Sequence, residues 1–73
     1  MTYNEYKNWN TWNVSLWLNN EESLYRTMVE CIRSTRNRDE AARVLLTLLP
    51  ETTPDGARYN KTAIKKAMQG ISR

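Results

Sequence analysis

The chain contains no histidine and no phenylalanine, a single cysteine, two glycines and two prolines. Each scarcity excludes something. Without histidine the commonest general base and the standard nucleophilic triads are missing. A zinc site would have to combine the lone thiol of Cys31 with carboxylates, so no metal or cofactor is expected. Cys31 cannot close an internal disulfide, and a single free thiol fits a reducing compartment. With only Gly56 and Gly70 no glycine-rich phosphate loop can be built. No apolar run approaches the roughly 20 residues that span a bilayer, and no basic segment followed by an apolar run opens the chain. A cytoplasmic protein, without membrane association, is therefore expected. The Asn13-Val14-Ser15 and Asn60-Lys61-Thr62 triplets then carry no sugar and are chance matches.

What is present is aromatic and basic. Residues 1–73 make one domain. At this length a core supplies only about 3–5 kcal/mol, so dense aromatic packing or self-association must substitute for staples. All three tryptophans fall within Trp9–Trp17, laced with asparagines. The net charge of +3 is unevenly spread. Residues 39–55 are acidic, whereas residues 56–73 hold five cations and no acid. That basic end is the natural place for an acidic partner.

The apolar spacing predicts an all-α, compact single-domain bundle of three to four short helices. A first helix starts at a Thr11 cap and carries Trp12, Val14, Leu16, Trp17 and Leu18. It is apolar over so much of its circumference that burial is expected. A second runs from Asn20 to Ser34, capped by Asn19 with Glu22 as its partner, and shows Leu24, Met28, Cys31 and Ile32 on one stripe widened by Tyr25 and Val29. Cys31 reads as a small buried hydrophobe rather than a reactive thiol. A third runs from Arg38 to Leu49 behind an Asn37 cap with Glu40 at N3. Ala41, Leu45, Leu48 and Leu49 form its stripe, with Val44 and Leu46 beside it. A fourth runs from Lys61 to Ile71 behind Asn60, its stripe being Ile64, Ala67, Met68 and Ile71. Residues 50–59 form the loop before it, turning at Pro54-Asp55-Gly56, and residues 1–8 form an extended N-terminal arm exposing Tyr3 and Tyr6.

The tryptophans have two readings. A short chain without staples needs Trp12 and Trp17 in its core, but an outward tryptophan is also a strong interface anchor. Core placement is expected for Trp12 and Trp17, and Trp9 is open to either role. Asn13, on a mostly apolar helix, is expected to bond a neighbouring backbone group. Glu21 with Glu22, and Asp39 with Glu40, read as first-turn acids facing a helix dipole, not as a catalytic pair.

Thr11-Trp12-Asn13-Val14, Leu16-Trp17-Leu18, Asn20-Glu21-Glu22 and Leu24-Tyr25 together resemble the "ETWNVALWIDNDEGLY" opening of small uncharacterised proteins of bacteriophages and other mobile elements. The likeness covers about a quarter of the chain, and Asn10 stands where that pattern has glutamate. The resemblance implies a phage or mobile-element origin and transfers no catalytic residue. From that context the chain is expected to be non-enzymatic and to bind and block a host macromolecule, as counter-defence inhibitors of the anti-CRISPR kind do. The partner-binding candidates are Arg58, Lys61, Lys65 and Lys66, then Arg33, Arg36 and Arg38. A host protein is the first expected partner. A DNA- or RNA-binding regulator using the same cations is the second reading, since helix, loop and basic helix loosely mimic a helix-turn-helix, although a link of about ten residues exceeds the usual three to four. A homodimeric assembly module is the third.

Overall fold

In the computed structural model, which describes residues 8–69 and residue 71, four helices follow one another in a ring: α1 (Trp9–Asn20), α2 (Glu22–Ser34), α3 (Arg38–Leu48) and α4 (Lys61–Ala67). Each packs on the helix before and after it, and α1 closes the ring on α4. The fold is all-α, with one isolated antiparallel bridge between Thr52 and Arg58 and no longer strand among the described residues. No helix among those residues is long and apolar enough to cross a membrane.

Asparagine opens three of the four helices. Asn8, Asn37 and Asn60 all hold extended backbone, and each side chain accepts from the N3 amide, of Thr11, Glu40 and Ala63 respectively, at 2.8–2.9 Å. The first helix therefore begins one turn ahead of the expected Thr11 cap: Thr11 is the residue whose amide is capped. Asn8 is the cap instead of belonging to an arm; the rest of the expected arm, with Tyr3 and Tyr6, lies outside the described residues. Glu40 reaches back to the amide of Arg36 at 2.9 Å, so the Asn37–Glu40 pair works as a capping box displaced by one residue.

The second cap differs from expectation. The first helix runs on through Asn20, so Asn19 is helical and cannot cap the next one. Glu21 is the single extended residue between α1 and α2, and its carboxylate takes the amides of Ser23 and Leu24. Its hydrogen bonds to Ser23, first through the side chain, hold that carboxyl below its usual pKa. The fourth helix ends at Ala67, four residues before the expected Ile71. Side chains take the carbonyls beyond that point. Asn19 Nδ2 donates to Ala67 O at 3.2 Å, and the Arg38 guanidinium donates to Met68 O and Ile71 O.

The core is built from Val14 and Leu18 of α1, Met28, Cys31 and Ile32 of α2, Ala41, Ala42 and Leu45 of α3, and Ala63, Ile64, Ala67 and Met68 of the last segment, with Ala57 and Tyr59. Cys31 is buried, and its thiol is pushed up by that burial and then by Glu30. Two expected core members are displaced. Trp12 and Trp17 are half-buried, and Trp9 is 41% exposed. Val14 and Leu18 of α1 share the core with the small Ala63 and Ala67 of α4, while the bulkier Trp12 and Trp17 stay at its edge. On α3, Leu48 is 61% exposed at the helix end, outside the stripe assigned to it, and Val44 is also exposed.

Candidate nucleic-acid or protein interface on the last helix

The connection from α3 to α4 is a miniature hairpin whose tip is Thr53-Pro54-Asp55-Gly56. Pro54 presets the first central dihedral, and the Gly56 amide closes the turn on Thr53 O at 2.9 Å. Gly56 has φ +95°, a conformation that glycine reaches without steric cost. Thr53 N then donates to Ala57 O at 2.8 Å, and Tyr59 N to Glu51 O at 3.2 Å.

One face of α1 locks this hairpin. Asn10 donates to Arg58 O at 2.9 Å and accepts from Arg58 N at 2.7 Å, so its amide pairs with that backbone as a neighbouring strand would. Asn13, 1% exposed, accepts from Thr53 Oγ1 at 2.6 Å and donates to Asp55 Oδ2 at 2.9 Å. Trp17 Nε1 donates to the same Asp55 oxygen at 2.9 Å. Asn13 thus bonds side chains some 40 residues away, where a local backbone partner was expected. The bonds from Asn13 and then Trp17 hold the Asp55 carboxyl below its ordinary pKa.

The lock fixes Arg58 at the mouth of a cleft of about 490 Å³ lined by Asn8, Asn10, Thr11, Arg58, Asn60 and Thr62. A second cleft, of about 390 Å³, is lined by Arg38, Thr62, Lys65, Lys66 and Gln69. Thr62 belongs to both walls, so the clefts adjoin there. Among the described residues, no carboxylate lines either cleft.

The seven cations named from the sequence do not form one patch. Arg58, Lys65, Lys66 and Arg38 line the adjoining clefts, with Arg38 also spent on the carbonyls after α4. Lys61 Nζ lies 2.9 Å and Lys65 Nζ 3.3 Å from Asp39 Oδ1, and Arg43 approaches the other oxygen at 3.6 Å. The hydrogen bonds from Lys61 and Lys65 depress the Asp39 carboxyl to about 2. Arg33 lines a separate hollow on α2 with Tyr25, Arg26, Val29 and Glu30. Arg36 stands in the link between α2 and α3, its backbone amide held by Glu40. Sequence reasoning missed Thr62 and Gln69. The i, i+3 and i+4 spacing of Thr62, Lys65 and Lys66 is the signal that places these three on one face of α4, and Gln69 follows just beyond its end. Arg43, one turn after Asp39, was missed likewise.

The chain belongs to DUF7249, a family of unknown function, whose profile matches residues 1–73. No curated protein and no solved structure matches it. What the family's chemistry is must therefore be argued from the surface just described. Among the described residues no three of Cys, Asp and Glu converge as metal ligands would. Cys31 is inside the core, and Asp39 and Asp55 are held by structural donors.

Proposed function

We propose that this protein is a small non-enzymatic interaction protein of phage or mobile-element type. It binds a host macromolecule in the host cytoplasm and blocks it sterically, as a counter-defence inhibitor would. The observation that carries the reading is the convergence of Arg58, Lys65, Lys66 and Arg38, drawn from three parts of the chain, on adjoining clefts that no carboxylate of the described residues lines. Complementary charge of this kind gives a partner a fast and oriented approach. The Trp12-Asn13-Val14 and Leu16-Trp17-Leu18 resemblance supports the phage origin. A protein partner is favoured over a nucleic acid because Asp39 and Glu51 sit against cations of the same surface and repel a continuous polyanion.

The test is affinity purification of the tagged protein from its bacterial host, with and without nuclease, followed by mass spectrometry. One stoichiometric protein that survives nuclease, and is lost with Lys65→Glu/Lys66→Glu, supports the reading. Recovery of nucleic acid alone, lost on nuclease treatment, overturns it in favour of a nucleic-acid-binding regulator.

A further inference from the structure

The geometry points to an extended acidic segment of a protein as the ligand of the trough formed by the two clefts that adjoin at Thr62. This rests on the reading that the surface around α4 binds a macromolecule, and it names the chemistry of the partner.

Among the described residues, every polar side chain lining the trough carries a donor. Arg58, Lys65, Lys66 and Arg38 carry charged N–H groups, and Thr62 a hydroxyl. Asn8 and Asn60 spend Oδ1 on their helix caps, which leaves the Nδ2 hydrogens for a ligand's main-chain carbonyls. The cations of this region already hold two carboxylates in the folded chain, that of Asp39 through Lys61, Lys65 and Arg43 and that of Glu51 through Arg58. An incoming Asp or Glu offers Lys65 the same group.

The dimensions suit a strand. Thr62 to Lys66 spans roughly 6 Å along α4, about two residues of extended chain. Acids two residues apart therefore share one face of the strand and reach successive cations. Two features disfavour nucleic acid. Among the described residues no aromatic ring lines either cleft, so these residues give bases no stacking platform. Asp39 beside Lys65 and Glu51 beside Arg58 place an anion near each part of the trough. Separate carboxylates can be spaced to avoid these anions, whereas a phosphate backbone cannot.

The experiment is fluorescence anisotropy at low ionic strength with a fluorescein-labelled peptide of alternating Asp and Ser, about ten residues long, the length of an extended strand that overhangs the trough. The controls are the matching Asn/Ser peptide and a thymidine oligonucleotide. The Asp/Ser peptide binds and the Asn/Ser peptide does not. Arg58→Glu and Lys66→Glu each weaken binding roughly tenfold, with circular dichroism showing that the helices persist. Asp39→Asn strengthens binding by releasing Lys65. Tighter binding of the oligonucleotide, or Asp/Ser binding that both Glu variants leave unchanged, overturns the inference. The two readings can also fail separately. A partner captured from the host and lost with Lys65→Glu/Lys66→Glu, in a protein that ignores the acidic peptide, keeps the surface and rejects the acidic strand.

Discussion

Replacing Asn13 by alanine tests whether the hairpin is locked by the α1 amides. Asn13 is 1% exposed and carries two hydrogen bonds, from Thr53 Oγ1 at 2.6 Å and to Asp55 Oδ2 at 2.9 Å. A neutral hydrogen bond contributes about 1 kcal/mol and one to a charged acceptor about 1.5–3 kcal/mol. Truncation also strands the Thr53 hydroxyl, which is itself buried and already accepts from Ala57 N at 3.0 Å. Asp55 keeps Trp17 and water, which limits the loss on that side. The net destabilisation expected is about 2–4 kcal/mol, and a domain of this size loses roughly 4–8 °C of Tm per kcal/mol. Thermal melts followed by far-ultraviolet circular dichroism measure it, with tryptophan emission reporting on Trp17. A double-mutant cycle with Thr53→Val isolates the shared bond, and the two changes together should cost about 1 kcal/mol less than their sum. A loss below about 0.5 kcal/mol for Asn13→Ala, or strict additivity in the cycle, refutes the lock.

Gly56→Ala meets no atom within 4 Å of its new Cβ but must hold φ +95°, so it costs about 1–2 kcal/mol, and Gly56→Asn costs less because asparagine tolerates positive φ; chemical denaturation of the two variants gives the order. Asp39 and Asp55 both titrate below the ordinary aspartate value of 3.8 in the folded chain, so their stabilisation is complete above that value and is lost as pH falls through the native values, about 2 for Asp39. Acid melts should show a decline over that window that Asp39→Asn makes shallower. Cys31, buried and with its thiol raised, should react with Ellman's reagent only after unfolding, and stoichiometric labelling of the native protein would contradict its place in the core.

The helices were legible because each carries a local signal: the Met28–Cys31–Ile32 stripe, the Asn37 and Asn60 caps, and the Pro54-Asp55-Gly56 turn all stand where the spacing predicts. The first cap failed for a physical reason. Asn8 and Thr11 both qualify, and asparagine, the stronger cap, takes the earlier position and uses the Thr11 amide. The tryptophans were misplaced because a helix apolar on every side has no preferred phase. Which face enters the core is set by packing against elements far away in sequence, α4 among them. The site was half legible for the same reason. Charge marks Arg58, Lys65 and Lys66, but only the fold separates them from Arg33 and Arg36 and ties Lys61 to Asp39.

The asparagines threaded among the tryptophans serve a chain that cannot form a disulfide. An amide side chain is both donor and acceptor, so one residue can satisfy both backbone groups of a distant segment, as Asn10 does for Arg58. Asn10, Asn13 and Asn19 reach residues 40 to 48 positions away, and all three join α1 to the region between Thr53 and Ala67. They therefore close the ring of helices at the same junction that holds Arg58 at its cleft. A carbon side chain at these positions could fill space but could not fix the register of the hairpin against the helix. That register decides whether Arg58 and Lys66 stand on one trough or on two unrelated surfaces. In this fold the bonds that replace a staple also assemble the surface proposed to meet the partner.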